Sequence, residues 1–392
     1  MAARRFETRL SDDERFDWLR LIRSENVGPR TFRALLDRCG GAAAALSALP
    51  DLARRGGAGR PIRVAAADEI ERELEDSRRL GVRLVAYCEP EYPPALRHID
   101  AAPPLLALRG REEALQQPAV AIVGARNASA AGLAFADRLA RGLGAAGYVV
   151  VSGLARGVDQ RAHVASLATG AVAVLAGGHA KPYPPDAAPL MTRIAENGAV
   201  VTEMPIDWEP RGRDFPRRNR LVSGLALATI VVEAARGSGS LITARLAAEQ
   251  GREVLAAPGS PLDPRAEGTN DLLREGATLC ARVEDALTAL EPLRARDPFA
   301  GLKESAGDGL WADDAAGDDA APVECDQPAD LDVGARIGAL LGPAPVSVDE
   351  LARAANADVR AVRAALIEFE LAGRIERSGG DRIALMTGLQ AD

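Results

Sequence analysis

The chain has 392 residues, 47% of them hydrophobic and 4% aromatic, and a formal net charge of −8. It can bury a sizeable core over two or three domains, while apolar runs such as 119–123 and 171–176 fall far short of the roughly 20 residues of a membrane span. The N-terminal stretch 1–9 has no apolar h-region, so no secretory signal is expected; Cys39, Cys88, Cys280 and Cys325 form no CxxC, which argues against a disulfide framework and a zinc site, and a cytoplasmic protein is the simple expectation.

The charge is uneven. Residues 297–330 hold ten acidic residues and one basic residue, Lys303, leaving 46 acidic against 47 basic elsewhere. Overall pI is therefore a poor guide to the folded parts.

In chain order, residues 11–80 read as a helical domain. Phe16, Leu19 and Ile22, then Phe32, Leu35 and Leu36, recur at helical spacing. Between them Asn26-Val27-Gly28-Pro29-Arg30-Thr31 reads as a tight turn into a helix. It resembles a helix–hairpin–helix turn, whose amides can hold a phosphate; an ordinary turn is the alternative. Residues 82–290 alternate β-rich and helical runs. Strands are expected at 120–123, 148–151, 172–175, 199–202, 229–232 and 254–256, with helices such as 131–144 and 241–250 between them. That alternation predicts an α/β domain with a Rossmann-like parallel sheet and helices on both faces.

Residues 294–331 are acidic and rich in Ala, Gly, Pro and Asp, the composition of a disordered linker. Residues 333–386 follow as a winged helix. Ser347-Val348-Asp349-Glu350 is a capping box, Asp358 caps the helix 359–372, and 374–377 with 382–385 form a hairpin. Arg360 and Arg363 are basic, but Glu368 and Glu370 follow, so DNA contact and protein contact both stay open for this domain.

Ligands bind beyond the C-terminal ends of strands in open α/β sheets. Five strand ends here carry Gly: Gly124-Ala125-Arg126, Ser152-Gly153-Leu154, Ala176-Gly177-Gly178, Gly237-Ser238-Gly239-Ser240 and Pro258-Gly259-Ser260. Gly admits close backbone approach, and several of these loops open helices whose free amides favour anions. Arg217, Arg218 and Arg220 crowd the first turn of a helix, opposing its dipole, a conflict that an anionic partner removes. On a helical wheel Arg218 lies on the apolar face and is expected to point inward, either to a ligand or to a buried acid, Glu203 or Glu233.

Enzyme signatures are absent. Gly124-Ala125-Arg126-Asn127-Ala128 is not GxGxxG, 237–243 lacks the Walker Lys, no GxSxG occurs, and His98, His163 and His179 have no metal spacing. No catalytic residue, cofactor or metal is therefore expected. Asp159 reads as a helix cap and Glu233 as an arginine partner.

Together, Ile122-Val123-Gly124-Ala125-Arg126, Ser152-Gly153-Leu154-Ala155-Arg156-Gly157-Val158-Asp159, Tyr183-Pro184, Phe215-Pro216-Arg217-Arg218-Asn219-Arg220, Gly237-Ser238-Gly239-Ser240-Leu241-Ile242-Thr243-Ala244, Pro258-Gly259-Ser260 and the run 268–277 resemble, in order, the DNA-processing protein A (DprA/Smf) family. The flanking segments resemble its layout, with a SAM-like helical domain first and a winged helix last. The resemblance implies a non-enzymatic protein that binds single-stranded DNA, dimerises, protects incoming strands and loads RecA recombinase during natural transformation. It places the DNA site on Gly124, Arg126, Ser152, Gly153, Arg217, Arg218, Asn219, Arg220, Gly237, Ser238, Gly239 and Ser240. Several family members carry Lys just after Tyr-Pro; here Pro185 stands there, and Lys181 is the candidate to replace it. Two other readings remain: a nucleotide-processing enzyme of the lysine-decarboxylase-like type, which would need Pro-Gly-Gly-x-Gly-Thr where this chain has Pro258-Gly259-Ser260, and a winged-helix regulator of duplex DNA.

Overall fold

Local capping explains where the helices begin in a computed structural model of the chain, which describes residues 8–295, 331–378 and 382–386. Glu14 N donates to Ser11 Oγ at 3.2 Å, and Ser11 N donates to the Glu14 carboxylate at 2.7 Å. This box opens α1 (Asp12–Arg23). Pro29 fills the first position of α2 (Pro29–Cys39), and α3 (Ala42–Arg55) and α4 (Ala67–Arg79) follow. The central region then runs β1 (Val82–Ala86), α5 (Pro94–Arg97), β2 (Leu105–Gly110), β3 (Ala119–Val123), α6 (Ala130–Ala145), β4 (Val149–Ser152), α7 (Val158–Ser166), β5 (Ala171–Val174), α8 (Ala188–Asn197) and β6 (Ala199–Thr202). It continues through α9 (Asp214–Gly224), β7 (Ala228–Val231), α10 (Gly239–Glu249), β8 (Glu253–Ala256), α11 (Glu267–Arg274), β9 (Thr278–Leu279) and α12 (Val283–Ala295). After the acidic segment, which lies outside the described residues, come α13 (Leu331–Leu340), β10 (Val346–Ser347), α14 (Val348–Ala355), α15 (Val359–Leu371), β11 (Ile375–Ser378) and β12 (Arg382–Leu385). The described residues fall into two compact units: 8–9 with 72–295, and 10–71 with 331–378 and 382–386.

The first unit is built on a sheet in the order β1-β2-β6-β5-β4-β3-β7-β8-β9. It is parallel from β6 to β9, as expected, and β1 and β2 extend it antiparallel at one edge. Alternation along β3 feeds two cores. Ala119, Ala121 and Val123 join Leu221, Val222 and Ala244 on one face, while Val120 and Ile122 join Leu139, Leu143, Ala162 and Leu290 on the other. From β3 the chain steps outward through β4, β5 and β6, then returns to place β7 on the opposite side of β3. The topological switch point therefore lies between the C-terminal ends of β3 and β7.

In the second unit the capping box at Ser347 and Glu350 and the cap at Asp358 are both present, and β11–β12 form the hairpin. The third helix of this winged helix, α15, is covered on two sides. Val362, Ala365, Leu366 and Phe369 face its own core. The stripe Ala364, Ile367, Glu368 and Leu371 lies on the side bonded to α2 and α3, the last three of these being buried. Arg38 Nη2 donates to Glu368 Oε1 at 3.0 Å and Arg55 Nε lies 3.4 Å from the same atom. Asn26 Nδ2, from the turn before α2, donates to Leu371 O at 2.9 Å, and Arg374 Nη1 donates to Gly56 O at 3.2 Å. Gly56 is required there because a Cβ would collide with the Glu368 carbonyl. Cys88 and Cys280 carry reduced thiols.

Candidate nucleic-acid interface

The switch point is framed by two loops. After β3, Gly124 packs so closely on Val158 that a Cβ would lie 2.8 Å from it, and Arg126 follows, exposed. After β7, Gly237 takes φ +76° and Ser238 caps α10, its hydroxyl accepting from Ser240 N at 3.4 Å. Amides at the start of this 11-residue helix face the same edge, where its dipole favours anions. Asn219 is buried and donates to Gly239 O at 3.2 Å, tying α9 to the loop.

Arg218 does point inward, yet the residue is only 6% exposed. Nη1 donates to both Gly153 O and Val174 O, stapling the ends of β4 and β5. Asp159 also sits there, its Oδ2 accepting from Gly153 N at 3.1 Å and Ala155 N at 3.4 Å. Burial pulls Arg218 down to about 10, against the pull of Asp159 in the other direction, so it remains cationic at neutral pH. Burial likewise raises the Asp159 carboxyl, with Arg218 opposing. Gly153 has no room for a side chain because Arg218 occupies that space. Ser152 is fully buried, and its hydroxyl donates to Ile122 O at 2.6 Å. Arg218, Ser152 and Gly153 thus move from the expected contact surface to the scaffold beneath it.

The anticipated acid partner of Arg218 serves its neighbours instead. Glu203, buried after β6, accepts from Arg217 Nε at 3.0 Å and also pairs with Arg220. Arg217 stays 46% exposed on its outer side while Arg220 is only 13% exposed. Glu233 attracts the Arg265 guanidinium electrostatically, but its hydrogen bonds go to Ser129. It accepts from Ser129 N at 2.9 Å and from the Ser129 hydroxyl, which itself caps α6. Asp159 caps no helix end through its own position; it closes the loop before α7. Both carboxylates therefore have structural duties.

The anticipated Arg126 and Lys181 share this edge with Phe215 and Tyr183, and with Arg156, Arg211 and Arg213, which were not anticipated as contact residues. Arg126 lies 5.4 Å from the Phe215 ring centroid, and Phe215 meets Tyr183 edge-on at 5.2 Å. Lys181 is exposed on the neighbouring turn. Arg156 is exposed and paired with exposed Asp186 at 3.3 Å, a contact worth little in water. Arg211 stacks over Trp208 at 5.1 Å, and Arg213 is exposed beside it. Their signal in the sequence was a Trp and two Arg within six residues before the Arg-rich helix.

His163 and His179 are buried below this edge. Burial lowers them to about 3 and about 4. Both folded values lie below the unfolded one, so their contribution to stability is complete above about pH 6.5 and is lost as pH falls toward 4 and then 3. The expected loss approaches ~1.4 kcal/mol per pH unit per histidine, with Asp159, shifted upward, working in the opposite sense. Thermal unfolding from pH 7.5 to 4.5, followed on Trp208 emission with Trp18 and Trp311 changed to Phe so that it reports the unit holding both histidines, checks this: His179→Gln should reduce the slope, and an unchanged slope would remove His179 from the account.

The DNA recombination-mediator protein A family matches residues 83–291, all of this sheet but Val82, with its loops. The chain belongs to that family. A DprA-like N-terminal HHH domain matches 12–75 and a DprA winged helix domain matches 321–381. Among curated relatives, Protein Smf of Escherichia coli is 38% identical over 203 residues, 51% of this chain and 54% of that protein, so the match spans about half of the relative. The crystal structure of DNA processing protein A from Streptococcus pneumoniae is similar at 31% identity and TM-score 0.59, covering 72% of this chain and 98% of that one. The Helicobacter pylori DNA processing protein A, solved to describe its single-stranded DNA binding mode, is similar at 29% identity and TM-score 0.50, covering 54% and 96%.

Proposed function

We propose that this chain binds single-stranded DNA without sequence preference along the C-terminal edge of its sheet, protects it and passes it to RecA recombinase during DNA uptake or recombination, acting as a homodimer and without catalysis. The observation that carries this reading is the switch-point crevice: the helix N-terminus at the Gly237-Ser238-Gly239-Ser240 loop faces exposed Arg126, and Lys181, Arg156, Arg213 and the outer side of Arg217 continue the cationic edge. The Helicobacter relative, described as a single-stranded DNA binder, supports the substrate. The recombinase partner and the dimer rest on the family resemblance, and the cytoplasmic setting on the N-terminal composition and cysteine spacing. In this reading Arg126, Lys181 and Arg217 meet phosphates directly. Gly237, Ser238, Gly239 and Ser240 offer amides and hydroxyls. Gly124, Ser152, Gly153, Arg218, Asn219 and Arg220 hold those groups in place.

Anisotropy titrations of oligo-dT and a matched duplex at two salt concentrations test it. Single strands should bind more tightly, with a log–log salt slope of roughly −0.7 per phosphate neutralised. Arg126→Ala should weaken binding and reduce the magnitude of that slope by about 0.7. Equal affinity and slope before and after the change would remove the crevice from the binding site.

A further inference from the structure

We infer that Trp208 and Arg211 form a base-stacking platform at the outer end of this edge, where a single strand leaves the crevice. The inference rests on the single-stranded DNA reading above and adds to it a site for a base rather than a phosphate.

The platform is built in advance. Asp214, the first residue of α9, is only 4% exposed. Its Oδ2 accepts from Trp208 Nε1 at 2.9 Å and from Arg211 N at 2.8 Å. One buried carboxylate therefore fixes both the indole and the backbone that carries the guanidinium. Arg211 lies over the indole at 5.1 Å, and its side chain is exposed. The loop itself is tied to the end of β5, with Gly178 N donating to Trp208 O and Ala180 N to Ile206 O, both at 2.9 Å. Gly177 leaves room for that approach, since a Cβ there would lie 2.7 Å from Trp208 O and 3.2 Å from Lys181 O.

Position and charge decide what the platform takes. The strand order β6-β5-β4-β3-β7 places Gly237-Ser238-Gly239-Ser240, Arg126 with Phe215, Tyr183 with Lys181, and Trp208 with Arg211 in sequence along one edge. Four strand spacings of about 4.8 Å make this track roughly 19 Å long. Alternating cations and rings are how sequence-blind sites hold single strands, with phosphates on the cations and bases on the rings or on Arg planes. Exposed Asp207 and Glu209 flank Trp208 and repel a phosphate, whereas a neutral base face stacks on the guanidinium–indole pile without that penalty.

The test uses the full chain. In one arm, Trp18→Phe and Trp311→Phe leave Trp208 as the only tryptophan, and its emission is followed as oligo-dT or an abasic strand of equal length is added. Quenching by oligo-dT and none by the abasic strand is the expected result. In the second arm, Trp208→Leu, which keeps an apolar side chain and removes the π face, should lower oligo-dT affinity about 5- to 150-fold, the range of one base–aromatic stack. Abasic-strand affinity and salt slope should not change, and Trp208→Phe should restore most of the loss. Arg211→Gln reports on the same pile with the indole and its bond to Asp214 intact, and should also weaken oligo-dT selectively. Tight oligo-dT binding with unaltered Trp208 emission, or equal loss for both strands, overturns the platform and leaves the crevice standing. Absence of binding by either strand to the unaltered chain overturns the single-stranded DNA reading itself.

Discussion

Arg218→Ala should destabilise the strand ends under the crevice by about 3–5 kcal/mol, the usual cost of removing one member of a buried charged set. The change strands three groups at once. Asp159 loses the cation that opposes its desolvation, and the carbonyls of Gly153 and Val174 lose their donor. Because the chain divides into two units, a single global midpoint is the wrong readout. Hydrogen exchange of peptides spanning 149–175 is the right one, and protection there should fall while that of α1 to α3 stays. Asp159→Asn combined with Arg218→Met should recover part of the loss by removing the orphaned charge along with its partner. If Arg218→Ala leaves protection at 149–175 unchanged, the guanidinium is not the staple. Strand binding should also drop in Arg218→Ala, but with an unaltered salt slope per bound phosphate, which separates a scaffold arginine from Arg126.

The second large effect belongs to Glu368. Its carboxylate is shared by Arg38 and Arg55, whose side chains are 14% and 22% exposed against 9% for Glu368. Glu368→Ala leaves two half-buried cations facing each other, and a loss of about 2–4 kcal/mol is expected from the unit that holds α1 to α3 and the winged helix, at the lower end of the buried-pair range because solvent reaches both arginines. Glu368→Lys should cost more, since it adds a third cation. Trp18, 7% exposed and edge-on to Phe32 at 5.0 Å, is the natural reporter. Urea unfolding followed on Trp18, with Trp208 and Trp311 changed to Phe, should show an earlier midpoint for Glu368→Ala than for Glu368→Gln, which keeps a hydrogen-bond acceptor. Coincident midpoints would mean that the pair contributes nothing beyond its packing.

The sheet was legible because parallel strands buried on both faces read as short apolar runs, and six of them fell within one or two residues of the observed bounds. β1 and β2 were not, because one carries Arg83 mid-strand and the other ends in Arg109-Gly110, patterns that a loop also shows. The crevice was legible from glycine at strand ends, a local signal. The division of labour among the arginines was not. Which arginine meets Glu203 depends on a partner 14 and 17 residues away on another element, and a helical wheel yields direction without depth. Arg218 was placed correctly as inward-pointing, yet inward meant under the β4 and β5 carbonyls rather than toward solvent. Trp208 escaped notice because it lies in a Pro-containing loop with no periodicity to place it; only the fold brings Asp214 back to hold it.

The doubly covered third helix of the winged helix bears on how this protein should be dissected. Excising residues 333–386 would strip α2 and α3 away and leave Ile367 and Leu371 facing water, with Glu368 deprived of both its cations. Such a fragment would carry an artificial sticky stripe beside Arg363 and Arg374. Affinity for duplex, membranes or other proteins measured on it would describe a wound made by the scissors, and domain-by-domain work on this chain should keep residues 10–71 with the winged helix.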